Sequence, residues 1–191
     1  WIEEKRFKEK QNIVLIVLEG FGLEYMGFPN GDKGYSPFLD ELAQKGILFT
    51  NAFSNGRRSI EGIGAIFGGV PALMNQPFIS SQYMANYFLG IGTLLQKEGY
   101  HTSFFHGAKN GSMYFDQFMR TAGVKEFFGL NEYPNQDDYD GTWGIWDEPM
   151  LQWMSSKLNG FKQPFFSSIF SLTSHHQFVV PVKYRDQFPK G

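Results

Sequence analysis

Residues 12–22 read Asn-Ile-Val-Leu-Ile-Val-Leu-Glu-Gly-Phe-Gly, with an unbroken apolar run from Ile13 to Leu18. Such a run reads as a strand, Asn12–Leu18, of the kind that parallel sheets cover on both faces. Glu19 follows at once, and then the flexible Gly20-Phe21-Gly22. An acid at the mouth of a strand is rigidly held, and a hard divalent cation prefers oxygen donors, so Glu19 is a candidate metal ligand. A solvated turn residue, or an acid opening a helix, is the plainer alternative.

Working outward, strands alternate with helices. Ser36 and Pro37 mark a helix start, Asp40 and Glu41 fall early in it, and Lys45 and Gly46 mark its end. Ile47–Phe53 reads as a second strand, with a short helix from near Ile60. Gly92–Glu98 is helical in pattern, Thr102–Phe105 is a third strand, and Ser112–Ala122 is a helix stopped by Gly123. Residues 129–146 are loop-like, Asp147–Leu158 is helical, and Pro164–Leu172 is a fourth strand running into Thr173-Ser174-His175-His176. The expected architecture is α/β, a mostly parallel sheet with right-handed crossovers and helices on both faces. Ligands of such sheets sit beyond the carboxyl ends of the strands.

The totals fit one folded domain over residues 1–191: 42% hydrophobic, 19% charged, net charge −2. That charge gives no basic face for nucleic acid. Aromatics are heavy at 18%, which suits a thick core or a sugar- or lipid-facing surface. Cysteine is absent, so disulfides, thiolate metal sites and a cysteine nucleophile are excluded. No apolar run approaches the roughly 20 residues that span a bilayer, and the charged start WIEEKRFKEKQ is not a signal peptide. A start without Met and an end at Phe188-Pro189-Lys190-Gly191 suggest a piece of a longer chain.

Four strand exits carry polar chemistry, and parallel strands bring them to one edge. The first holds Glu19, the second leads to Asn55-Gly56-Arg57-Arg58-Ser59, the third to His106-Gly107-Ala108-Lys109-Asn110, the fourth to His175-His176. Ser59 at a helix start has backbone N–H groups and the positive dipole end beside it, suited to a phosphate, and its hydroxyl becomes a nucleophile if a base or metal lowers its pKa. Arg57 and Arg58 add charge-assisted donors. The bland alternative is an N-capping serine with surface arginines. His175, His176 and His106 are candidates for a metal or a phosphoryl oxygen, and only one of the vicinal pair faces the site. Lys109 and Asn110, in a glycine-bounded loop, suit an anion or a sugar, or simply a turn. The stretch Asp137-Asp138-Tyr139-Asp140-Gly141-Thr142-Trp143 suits a polar head group or a second cation as well as a solvated loop with one packed Trp. It lacks the full twelve-residue calcium-loop pattern.

The ordered set NIVLIVLEGF, SPFLDELAQKGILFTNAFSNGRRSIEG, GTLLQKEGYHTSFFHG, WGIWDEPML and PFFSSIFSLTSHHQF resembles the catalytic domain of lipoteichoic acid synthases and their sulfatase-like relatives in the alkaline phosphatase superfamily. The resemblance runs from Asn12 to about Phe188. It implies Glu19 and Ser59 as metal ligands, Ser59 (Thr in the synthases themselves) as nucleophile with Arg58 beside it, and His175 on the substrate side. It also implies one divalent cation among Mn, Mg and Zn, with Mn favoured. The implied chemistry is two-step phosphotransfer from a phospholipid or glycan-linked phosphodiester, in an extracytoplasmic domain whose parent is anchored in the membrane upstream of residue 1.

Three departures stand out. The family completes its metal site with an Asp-His pair, and no Asp-His dipeptide occurs here, as expected of a domain truncated at its C-terminus. The synthases hold glycerol phosphate with Asp, Trp and Arg where Ala108, Met113 and Phe115 stand here. Ser59 is followed by Ile60, Glu61 and Gly62, not by the formylglycine context of true sulfatases, so phosphate rather than sulfate esters are expected. A phosphodiesterase, phosphatase or sulfatase-like hydrolase, and a non-catalytic binding domain of the same fold, are the alternatives.

Overall fold

The computed structural model describes residues 9–31 and 33–187. Its sheet has four strands, β1 (Ile13–Val17), β2 (His101–Phe105), β3 (Glu126–Phe128) and β4 (Phe165–Phe170), all parallel in the order β1-β4-β2-β3. The helices are α1 (Pro37–Lys45), α2 (Ser59–Gly68), α3 (Ile91–Lys97), α4 (Phe115–Thr121) and α5 (Asp147–Leu158). The α/β class and the parallel sheet agree with the sequence pattern.

The strand expected over Ile47–Phe53 does not form. Five of its seven residues are apolar, but Thr50 and Asn51 interrupt it, no strand lies beside it among the described residues, and Phe53 is 91% exposed. β3, only three residues long, is too short to show a period in the sequence. β1 was expected to be covered on both faces. Among the described residues it is instead an edge strand, paired with β4 alone, and its Val14 and Ile16 are 47% and 52% exposed. The doubly covered strand is β4, in which all six residues are buried.

Alternation along the strands divides the core in two. Phe104, Phe166 and Phe170 face Ile63 and Phe67 of α2 and Phe115, Phe118 and Met119 of α4. Phe105 and Ile169 face Met150 and Met154 of α5, with Tyr133 and Ile145 from the loop before it. Phe67 meets Phe104 edge to face at 5.5 Å, which accounts for part of the high aromatic content.

Two serines lie between these layers. Ser103 and Ser167 are register partners on β2 and β4 and share a hydrogen bond of 2.7 Å at full burial. Ser103→Ala leaves the Ser167 hydroxyl unpaired in the core and is expected to cost about 1–2 kcal/mol in chemical denaturation of the full-length protein.

Candidate active site

β1 ends at Val17, and the chain leaves it through Leu18 and Glu19. The Glu19 N–H donates to Ser171 Oγ on the β4 exit at 2.8 Å, which fixes where the acid emerges. Gly20 then turns with φ +58°, and a Cβ there would lie 2.8 Å from the Ser174 carbonyl oxygen. Glycine is required on both counts, and the turn locks the β1 exit against the β4 exit. Glu19 Oε2 is buried with no hydrogen-bond partner among the described residues. A buried carboxylate oxygen without a partner is costly unless something else satisfies it.

Ser59 is the first residue of α2, and Arg58 occupies the N-cap position. Ser59 therefore does not cap the helix, and its hydroxyl makes no hydrogen bond among the described residues. Capping falls to a box between Arg58 and Glu61. The Glu61 carboxylate accepts from the Arg57 N–H at 3.0 Å, from the Arg58 N–H at 3.1 Å, and from the Arg58 guanidinium at 2.7 and 3.2 Å. The Arg58 hydrogen bonds, foremost the guanidinium's, hold the Glu61 carboxyl below the usual carboxylate range. The turn permits this because residue 56 is Gly: a Cβ there would lie 2.3 Å from Glu61 Cβ.

These two exits meet. A cavity of about 460 Å³ is lined by Leu18, Glu19, Gly20, Glu24, Arg57, Arg58 and Ser59, floored by Ile63 and Phe170. Although Ile47–Phe53 is not a strand, its continuation still delivers Ser59 to the strand-exit edge. The donors fit a hard divalent cation in part: Glu19, with one orphaned carboxylate oxygen, and Ser59, with an uncommitted hydroxyl, both line this cavity. No group of three or more His, Cys, Asp or Glu suited to a metal occurs among the described residues.

His175 and Trp143 also come together, with ring centroids 4.0 Å apart. Trp143 Nε1 donates to the His176 carbonyl at 3.0 Å, and both rings line a small hollow beside Thr173 and Phe178. Asp147, at the start of α5, accepts from the Leu172 and Thr173 N–H groups at 2.6 and 2.9 Å, so the approach to His175 is tied to a helix end. Burial pushes the Asp147 carboxyl up, against those hydrogen bonds.

Other predicted residues point elsewhere. His106 is 1% exposed, stacked on Phe170 at 4.9 Å and edge-on to Phe115, with Nδ1 3.0 Å from the Phe170 carbonyl. It lies in the core rather than facing a substrate. Asn110 commits its amide to Glu132 at 3.0 and 3.1 Å, away from the Glu19–Ser59 cavity, and Lys109 is exposed and does not line that cavity. Asp140 accepts three backbone N–H groups, from Thr142, Trp143 and Gly144, so one of its oxygens shapes the loop rather than binding a head group or cation. Glu61 was missed as a site residue. Its signal is an acid at the third helical position, obscured because the cap is Arg rather than Ser or Thr.

The sulfatase family model matches residues 11–191. The chain belongs to the sulfatase family. Within it the chain is similar to lipoteichoic acid synthase 1 of Bacillus subtilis, 29% identical over 183 residues that cover 91% of this chain and 28% of that protein. Among solved structures it is similar to an alkaline phosphatase superfamily protein of Vibrio parahaemolyticus, with TM-score 0.82 and 28% identity over 91% of this chain and 43% of that one. The lipoteichoic acid synthase LtaP of Listeria monocytogenes shares the fold, with TM-score 0.79 at 17% identity over 92% of this chain and 43% of that one. This sulfatase-family chain therefore spans less than a third of the curated relative and under half of the structural neighbours. Its fold is that of the alkaline phosphatase superfamily. No described helix is long and apolar enough to cross a membrane.

Proposed function

We propose that the parent protein is a metal-dependent phosphotransferase of the cell envelope, moving a phospho-head group from a lipid- or glycan-linked phosphodiester through a phosphorylated Ser59. The observation that carries this reading is the pairing of an uncommitted Ser59 hydroxyl with an orphaned Glu19 oxygen on one cavity. Family membership supports it. Glu19 and Ser59 would hold the cation, with further donors supplied from beyond residues 1–191. When bound, it lowers the pKa of the hydroxyl and offsets charge growing on phosphorus.

Ser59 Oγ attacks phosphorus, the Oγ–P bond forms, the bond from phosphorus to the departing alcohol oxygen breaks, and the alcohol leaves with the proton that Ser59 gave up. An acceptor hydroxyl then attacks the same phosphorus: its O–P bond forms, the Oγ–P bond breaks, and the acceptor's proton passes to Ser59 Oγ, restoring the hydroxyl. The N–H groups and dipole of α2 favour the anion at that position.

A largely apolar groove of about 380 Å³, lined by Phe21, Tyr25, Tyr35, Phe178 and Tyr184, shares Gly20 and Phe21 with the cavity and suits the apolar part of an amphiphilic donor. Glycerol phosphate is not read as in the synthases: Ala108 bridges to Gly144, and Phe115 is fully buried. The Trp143–His175 pair is the better candidate for the head group. An extracytoplasmic site, with a membrane anchor upstream of residue 1, places such an enzyme beside its donor.

Hydrolysis is the second reading, since water can take the acceptor's place. Product analysis with the full-length protein and a phosphodiester decides between them. A head group transferred to an alcohol acceptor is expected, whereas inorganic phosphate or a free monoester as sole product makes the enzyme a hydrolase. Chelation by EDTA is expected to abolish turnover and added Mn²⁺ to restore it.

A further inference from the structure

Two arginines precede Ser59, and the fold treats them differently. Arg58 gives its backbone N–H and two guanidinium N–H groups to Glu61, and its guanidinium lies 2.7 Å from Oε1 in an ion pair. The Glu61 side chain is only 12% exposed, so the acid is the anchored partner and the arginine is drawn to it. Arg57 gives Glu61 only its backbone N–H. Both arginines line the cavity with Glu19 and Ser59, but the Arg57 guanidinium forms no ion pair or hydrogen bond among the described residues. Glu24 lines that cavity too and is likewise not paired with it.

We infer that Glu61 is a positioning residue of the site: it binds Arg58 into the turn and leaves Arg57 as the guanidinium that meets the phosphoryl oxygens. An arginine whose charge is matched and whose donors are occupied has little left for an incoming anion, whereas an unengaged one keeps its bidentate fork. The same carboxylate fixes the backbone of residues 57 and 58, and so the direction in which Ser59 leaves the turn. This rests on reading the cavity as a phosphate-ester site, and it revises the sequence-based choice of Arg58 as the catalytic arginine.

The test measures binding of inorganic phosphate by calorimetry, together with turnover, in the full-length protein and its variants. Arg57→Gln is expected to weaken phosphate binding roughly ten- to hundredfold, the size of one charge-assisted contact, and Arg58→Gln by less than about threefold. Glu61→Gln is expected to lower kcat more than tenfold without weakening phosphate binding, because the Arg58 guanidinium, already at the cavity wall, is freed from its pair while Ser59 loses its orientation. A purely structural Glu61 would lower thermal stability with no such split. Phosphate binding by Arg57→Gln equal to wild type, or weakened equally by Arg58→Gln, overturns the assignment. Ser59→Ala separates this from the proposed function: if it ends turnover while phosphate binding stays intact, the site reading stands whatever Arg57 does.

Discussion

Ser59→Ala in the full-length protein is expected to lower turnover by at least about a thousandfold, because the nucleophile of a covalent mechanism has no substitute. The same change is expected to alter folding stability by no more than about 0.5 kcal/mol. The hydroxyl neither caps α2, whose cap is the Arg58–Glu61 box, nor bonds elsewhere among the described residues. Ser59→Thr keeps the hydroxyl and is expected to retain turnover. Steady-state kinetics beside denaturant unfolding check all three, and full activity in the alanine variant removes Ser59 from the mechanism.

Acidification is expected to remove about 3 kcal/mol of stability through His106 alone. Burial drives its pKa from the ordinary 6.5 to about 4, opposed by the hydrogen bond to the Phe170 carbonyl. Below pH 6.5 the unfolded chain takes up a proton at this ring that the folded chain refuses until about pH 4. Stability therefore falls as pH drops through that window, and this residue contributes no further slope below it. The physical source is plain: an imidazolium packed between Phe170 and Phe115 is removed from bulk solvent, and Nε2 meets no acceptor among the described residues. Unfolding free energies measured between pH 7 and 4 check this against His106→Asn, whose amide keeps a donor near the Phe170 carbonyl and cannot titrate. The variant is expected to start less stable, having lost the ring, but to show a shallower decline. Parallel curves for the two proteins contradict the assignment.

The sequence made the fold legible where periodicity was long enough. β1 is a continuous apolar run, β4 is apolar on both sides of Ser167-Ser168, and α1 opens on Pro37 and stops at Gly46. Residues 47–53 misled because strand formation needs a neighbour, and apolar content does not say whether one is present. In the site, the place of Glu19 at the exit edge was readable because β1 ends beside it, whereas Ser59 reaches that edge without the strand expected to carry it there. The directions of His106 and Asn110 were not, because partners far along the chain set them, and that of Arg58 was not although its partner lies only three positions on. Phe170 lies 64 positions from His106, Glu132 lies 22 from Asn110, and Glu61 holds Arg58 in a box with an unusual cap.

The central claim is that Glu19 and Ser59 share one cation. Anomalous diffraction from crystals of the full-length protein grown with Mn²⁺ tests it most directly. A single peak within about 2.0–2.2 Å of both a Glu19 carboxylate oxygen and Ser59 Oγ is predicted, the usual range for small divalent ions bound to oxygen. A manganese peak that touches neither residue, or only one of them, contradicts it.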